Sequence, residues 1–184
     1  VSGTFGSLEA GSYTVNVRDN NMCMSEVLID ITQPLPPLSG SITAQTNVPC
    51  FGTSAGSVTA EGSGGLAPYE YSLDDGTFQS SGTFNNLEAG NFIITIRDAD
   101  SNTYDLPVII SQPGSAVSGA IIAQSDVLCF GGSDGSVTVA GSGGIAPYLY
   151  KTATGTYQDP GTFGSLAAGD HTITVQDANL CTTD

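Results

Sequence analysis

The chain has 184 residues, with 18 Asp and Glu against 3 Lys and Arg, and a formal net charge of −15. So few cationic side chains argue against binding to nucleic acid or to an anionic lipid surface. No apolar run approaches the ~18 residues of a membrane span, so we expect neither a nucleic-acid partner nor membrane insertion. Hydrophobic residues make up 39 % of the chain and alternate in runs, which predicts a packed core.

The predicted elements are short strands separated by turns rich in Gly, Asp and Asn. In the middle of the chain they cover residues 41–48, 57–63, 69–73, 91–98 and 103–111, with an unassigned stretch at 77–87. Pro107 lies in the last of these, which predicts an edge strand or a bulge there. About seven short strands, with turn signals every 8–12 residues, are typical of an immunoglobulin-like sandwich.

A nine-residue motif occurs three times with small changes, as GTFGSLEAG at 3–11, GTFNNLEAG at 82–90 and GTFGSLAAG at 161–169. The interval is 79 residues each time, and the same interval relates Cys50 to Cys129. A gapless interval of this length indicates tandem domains rather than a solenoid of shorter repeats.

This period predicts three units. They are the C-terminal part of a repeat (1–38), a complete repeat (39–117), and a repeat that lacks its last strand (118–184). We expect an all-β chain of tandem immunoglobulin-like sandwiches, of the E-set or PKD-like kind. The linkers at 33–40 and 112–119 contain Pro, which stiffens a connector, so the domains are expected to form a rod.

A tyrosine corner is predicted at LEAGSY, residues 8–13, where Tyr13 would hydrogen-bond back to the preceding loop. The equivalent positions hold Phe92, which cannot form this bond, and His171. No motif places a nucleophile beside His171, so we expect it to be a half-exposed strand residue rather than a catalytic base.

Residues 129–150 (CFGGSDGSVTVAGSGGIAPYLY), followed by residues 166–181 (LAAGDHTITVQDANLC), resemble the SprB-type repeat. Such repeats occur in tandem in very large surface proteins of Bacteroidetes, including gliding-motility adhesins. The resemblance implies a secreted, cell-surface protein exported by the type IX system, with an adhesive or structural role and no catalytic residues. The middle repeat departs from the pattern, because it lacks an equivalent of Asp134 and has Asn102 where Cys181 stands.

The four cysteines, Cys23, Cys50, Cys129 and Cys181, are expected to form disulfides in a secreted protein. Three pairings are open: Cys129 with Cys181, Cys23 with Cys50, and Cys50 with Cys181. In an immunoglobulin-like sandwich, the loop after the first strand and the last turn lie a strand length apart, at opposite poles. The poles of successive domains face each other, which favours Cys50 with Cys181; Cys129 with Cys181 is the alternative.

Asp and Asn alternate in three turns, and Asp19, Asp98, Asp100 and Asp177 are candidate calcium ligands. The competing interpretation is ordinary turn chemistry, which also favours Asp and Asn. Four tyrosines on the third strand of two repeats could bind sugar rings or fill the core, and the core is favoured: Tyr69, Tyr71, Tyr148 and Tyr150.

The sequence therefore predicts a structural and adhesive repeat region, with no enzymatic activity and no cofactor other than calcium. Its partners would be neighbouring repeats and other copies in a fibre. A glycan-binding module is the alternative, with surface glycans as partners, and an accessory region of a secreted enzyme is a third hypothesis.

Overall fold

The computed structural model describes residues 3–184. All regular secondary structure in this range is β-strand. The strands are β1 (Gly11–Arg18), β2 (Met24–Ile31), β3 (Ser39–Thr46), β4 (Gly56–Ser63), β5 (Glu70–Leu73), β6 (Thr83–Leu87), β7 (Gly90–Arg97), β8 (Thr103–Ile110), β9 (Ser118–Ser125), β10 (Gly135–Ser142), β11 (Leu149–Thr152), β12 (Thr162–Leu166), β13 (Ile173–Gln176) and β14 (Thr182–Thr183). Within the described residues, no helix could span a membrane.

The second repeat consists of two antiparallel sheets of three strands, in the orders β3-β4-β6 and β5-β7-β8. Buried side chains alternate along β4 and β7, so that each sheet presents one apolar face to a shared core. Val58 from one sheet and Ile94, Ile96 and Val108 from the other are almost fully buried there. The stretch left unassigned at 77–87 contributes β6.

Pro107 lies in β8 opposite Ile93, and β8 is the outer strand of its sheet. The predicted edge position is therefore confirmed. The repeat has six strands, one fewer than expected, because the chain between β5 and β6 pairs only at a single bridge from Tyr71 to Gln79.

The third repeat has the corresponding sheets, β9-β10-β12 and β11-β13-β14, around a core of its own. Its last strand, β14, has two residues, whereas β8 has eight. Val137, Val139, Tyr150, Phe163 and Val175 are buried in this core. The first repeat is represented by the β1–β2 hairpin, whose strands pair over their full length from Gly11–Ile31 to Arg18–Met24. The described chain is thus a β-hairpin followed by two separate cores.

Both linkers are held by the repeat that follows them. Leu38 packs against the core of the second repeat, and Val117 is buried in the core of the third. The backbone N–H of Gly65 donates to the carbonyl of Pro36 at 2.7 Å, and that of Gly144 donates to Ser115 at 2.9 Å. These contacts satisfy linker carbonyls that would otherwise depend on water.

The predicted tyrosine corner is present in the first repeat, where the Tyr13 hydroxyl donates to the Glu9 carbonyl at 2.9 Å. His171 makes the equivalent contact, with its Nε2 2.8 Å from the Ala167 carbonyl oxygen. His171 is exposed and precedes β13, so the expectation of a half-exposed strand residue is wrong. The side chain serves as a bridge back to the loop before it.

Phe92 stands at the corner position of the second repeat and has no polar atom for this bond. We expect Phe92→Tyr to stabilise that repeat by about 0.5–1 kcal/mol, because it adds one hydrogen bond at a partly exposed position. Urea unfolding followed by hydrogen exchange in β7 would measure the gain. Tyr13→Phe is the reverse control, and a destabilised Phe92→Tyr variant would contradict the expected geometry.

Candidate functional site at the junction between the second and third repeats

A disulfide joins Cys50 to Cys181, which are 131 residues apart in sequence. Cys50 lies in the β3–β4 loop (residues 47–55), and Cys181 lies in the β13–β14 turn (residues 177–181). Their Cα atoms are 5.7 Å apart, within the usual range for a disulfide. Of the three pairings open in the sequence, the structure contains the one that crosses a domain junction.

Two hydrogen bonds accompany this cross-link. The Asn179 side-chain amide donates from Nδ2 to the carbonyl of Pro49, the neighbour of Cys50, at 2.9 Å. The Gly52 N–H donates to Oε1 of Gln112, in the linker, at 2.7 Å. The β3–β4 loop is therefore bound both to the linker and to the turn of the next repeat.

Asp177 shapes the turn that presents Cys181. This side chain is only 3 % exposed. Its Oδ1 accepts the N–H groups of Asn179 and Cys181, both at 2.9 Å, and its Oδ2 accepts that of Ile145 at 2.9 Å. One carboxylate thus closes the turn and ties it to the β10–β11 loop, which fixes the direction of the cysteine.

Glycine is required where the β10–β11 loop approaches both the turn and the linker. Gly143 and Gly144 have φ angles of +67° and +53°, which L side chains rarely adopt. A Cβ at Gly143 would overlap the carbonyl of Ala116 in the linker, and a Cβ at Gly144 would overlap the Asp177 carboxylate. The glycine pair lets linker, loop and turn meet at one pole.

The second repeat builds the same turn around Asp98, which is 4 % exposed. Its Oδ1 accepts the Asp100 and Asn102 N–H groups at 3.0 and 2.8 Å, and its Oδ2 accepts the Leu66 N–H at 3.2 Å. The Asn102 side-chain amide also donates to Oδ2, at 3.0 Å. These donors, the Asn102 side chain first, hold the pKa of Asp98 below its ordinary value of 3.8, although burial acts in the opposite direction.

This pKa shift predicts a pH dependence for the second repeat. Because the pKa of Asp98 is lower in the folded state, its contribution to stability is complete above the unfolded value of about 3.8 and is lost as the pH falls through the folded pKa. We expect Asp98→Asn to be less stable than the parent at pH 7, with a difference that shrinks at pH 2. Urea unfolding at both pH values measures this, and an equal difference at both would contradict it.

The candidate calcium ligands Asp19, Asp98 and Asp177 all direct carboxylate oxygens at backbone N–H groups of their own turns. Asp100 is exposed and lies in the same turn as Asp98, to which its backbone N–H donates. In residues 3–184, no group of three or more acidic, Cys or His side chains is placed to hold a metal. These contacts favour the turn interpretation, and calcium binding stays a prediction.

The four candidate tyrosines lie in or against the cores. Tyr71 and Tyr150 are buried, and their hydroxyls accept the N–H groups of Gly62 and Gly141 at 3.1 and 2.8 Å. Tyr69 and Tyr148 pack against the same cores. These rings fill the interior, as favoured from the sequence, rather than forming a strip for sugar rings.

Three residues of the junction, Asn179, Gln112 and Gly144, had no assigned role in the sequence. Asn179 stood only within a candidate calcium turn, and Gly144 only within the stretch that resembles the SprB-type repeat. The useful signal was recurrence: Gln112 repeats Gln33 in the other linker, and Asn179 and Cys181 repeat Asn21 and Cys23.

Comparison with known families identifies two stretches, residues 40–78 and 121–156. Both match the SprB repeat. They cover the β3–β5 and β9–β11 halves of the two sandwiches, so the resemblance found in the sequence is confirmed in both. SprB repeats are structural rather than enzymatic and occur in large cell-surface proteins. No curated relative matches the chain.

Proposed function

We propose that this chain is a structural and adhesive spacer of a large extracellular surface protein, exported by the type IX system. Its tandem sandwiches would form an extended rod that carries a binding part away from the cell. The SprB matches support the extracellular setting. The observation that carries the rod is the junction, where a disulfide and the Asn179 hydrogen bond hold two successive repeats together.

The finer fold assignment is also part of this proposal. The strand orders β3-β4-β6 and β5-β7-β8 are those of the two sheets of an immunoglobulin-like sandwich with few strands. Equivalent strands start at Gly56 and Gly135, and at Glu70 and Leu149, an interval of 79 residues in both pairs. These observations support a tandem immunoglobulin-like array with a 79-residue period.

Electron microscopy of the surface protein, stripped from cells, is the test. Thin rods of uniform width that bend more after reduction of disulfides would support the spacer. Collapsed particles, or rods unchanged by reduction, would contradict the role given to the junction. Antibody labelling of intact cells tests location independently, because the rod shape does not depend on it.

A protease-resistant rod is expected to have few cleavable bonds, and two of its three cationic side chains are engaged. The Arg97 guanidinium donates to Glu70 Oε2 at 2.6 Å and lies 3.8 Å from the centre of the Phe78 ring. Lys151 lies 4.9 Å from the centre of the Tyr157 ring. Arg18 is exposed, at the end of β1.

Limited trypsin digestion of the native chain is therefore expected to cut after Arg18 well before the other two sites, because cleavage needs local opening. Mass spectrometry of early products would show residues 19–184 as the main fragment. Arg18→Gln is the control and should leave the chain largely intact over the same time. Early cleavage after Arg97 would show that β7 opens easily and would contradict the prediction.

A further inference from the structure

Two cysteines, Cys23 and Cys129, are exposed and unpaired within residues 3–184. Each stands at the position that a bonded cysteine occupies in another repeat. Cys129 occupies the place of Cys50, and Cys23 is two intervals before Cys181. The chain therefore contains one completed junction disulfide and both halves of another.

The turn with Cys23, residues 19–23, has the features of the bonded turn. Asp19 Oδ1 accepts the N–H groups of Asn21 and Cys23 at 2.9 and 2.8 Å, as Asp177 does in the third repeat. Asn21 stands at the position of Asn179, whose amide binds the β3–β4 loop of the preceding repeat. Both cross-junction groups, the amide and the thiol, are thus present in this turn.

The equivalent turn of the second repeat has neither group. Asp100 replaces the asparagine, and a carboxylate cannot donate to a carbonyl. Asn102 replaces the cysteine, and its side chain folds back onto Asp98 instead. The features beside Cys23 are therefore not a general property of these turns.

The loop with Cys129, residues 126–134, matches the receiving loop. The Gly132 N–H donates to the Cys129 carbonyl at 2.9 Å, as Thr53 does to Cys50 at 3.2 Å. Phe51, in the loop that contacts the third repeat, is 46 % exposed, whereas its counterpart Phe130 is 111 % exposed. Leu128 is 85 % exposed, so both neighbours of Cys129 in the sequence are large apolar side chains that are open to solvent.

We propose that the Cys129 loop of one copy of this chain receives the Cys23 turn of a second copy, with a disulfide between the two cysteines. Asn21 would donate to the Leu128 carbonyl, as Asn179 does to that of Pro49. The two thiols lose two protons and two electrons when they form the disulfide. A small disulfide such as oxidised glutathione accepts these and is reduced to two thiols. Because the two surfaces differ, such contacts join copies head to tail in an open series. This goes beyond the spacer function and does not depend on cell-surface location.

The test uses two single-thiol variants of the full chain, Cys23→Ser and Cys129→Ser, one of them labelled with ¹⁵N. They are mixed in equal amounts with oxidised glutathione at physiological salt, which screens the repulsion between acidic chains. Mass spectrometry then separates mixed dimers from like dimers. Random coupling would give equal amounts of mixed and like dimers. We expect the mixed dimers to outnumber the like dimers several-fold.

Asn21→Asp, added to Cys129→Ser, is the matched variant, since it copies Asp100 of the second repeat. It keeps the thiol and should return the mixture to the random proportion. Hydrogen exchange of β1 and β2 checks that the hairpin is retained in every variant. Two results would overturn the proposal. One is a random proportion of dimers from Cys23→Ser and Cys129→Ser that both retain Asn21, and the other is a wild-type monomer with Cys23 bonded to its own Cys129. Failure here would leave the surface rod standing, because the Cys50–Cys181 junction is separate.

Discussion

When the oxidised chain is pulled from its two ends, residues 50–181 are expected to contribute no extension, whereas Cys181→Ser should release about 45 nm of additional chain. The reason is the Cys50–Cys181 bond, which closes a segment of 131 residues and carries the force past it. Both cores lie almost wholly inside this closed segment. Single-molecule force spectroscopy measures the released length directly.

Cys129→Ser is the matched control, because it removes a cysteine from the equivalent loop without breaking a bond. Its force–extension curve should coincide with that of the oxidised parent chain. Addition of a reductant to the parent should reproduce the Cys181→Ser curve. If the oxidised parent already extended by the full length, the cross-link would be absent and the rod would have lost its main support.

The same bond is expected to protect against unfolding without force. In the chain-entropy model, a closed loop of this size stabilises the folded state by up to ~5 kcal/mol, and native strain reduces the value in practice. Limited extension under force and resistance to unfolding are both properties that the proposed spacer would need. They arise at one place, because the disulfide spans a junction rather than a single sandwich.

The pairing of Cys50 with Cys181 could be favoured from the sequence because strand order decides which loops share a pole. Alternation of apolar residues gave the strands, and the 79-residue interval placed the two cysteines in different repeats. An immunoglobulin-like topology then separated Cys129 from Cys181 by the length of a strand. Each step used a regular pattern that the chain repeats.

The remaining contacts of the junction leave no such pattern. Asn179 donates to a backbone carbonyl 130 residues away, and any residue could supply that carbonyl. The role of the Asn179 amide can be recognised only once the positions of the two facing poles are known. His171 was misplaced for a related reason: the bond to Ala167 holds the ring before the strand, and an alternating pattern cannot show where pairing begins.

The two junctions of this chain differ in the side chains that the β-turn presents to the preceding repeat. The third repeat offers Asn179 and Cys181 to the repeat before it, whereas the second offers Asp100 and Asn102. A turn with Asp100 and Asn102 can form neither the disulfide nor the hydrogen bond that the Asn179 amide donates. In the proposed spacer, rigidity would therefore differ between junctions because of two residues in a turn, without any change in the sandwich itself.

Gly143→Ala is expected to destabilise the third repeat by about 3 kcal/mol. Roughly 1 kcal/mol of this comes from the positive φ angle of +67°, and the rest from a Cβ that overlaps the backbone carbonyl of Ala116. A backbone carbonyl cannot turn aside as a side chain can, so the linker itself must move. Hydrogen exchange of core amides in β10 measures the loss.

Gly131→Ala separates the two causes. Gly131 also has a positive φ, +76°, but a Cβ there would meet nothing within 4 Å. It should cost about 1 kcal/mol, the price of the backbone conformation alone. If both variants lost the same stability, the approach of the linker to Gly143 would be unimportant, and the linker would be free to swing. The larger loss at Gly143 would mean that a residue without a side chain is required there, because the linker packs directly against the backbone of the third repeat.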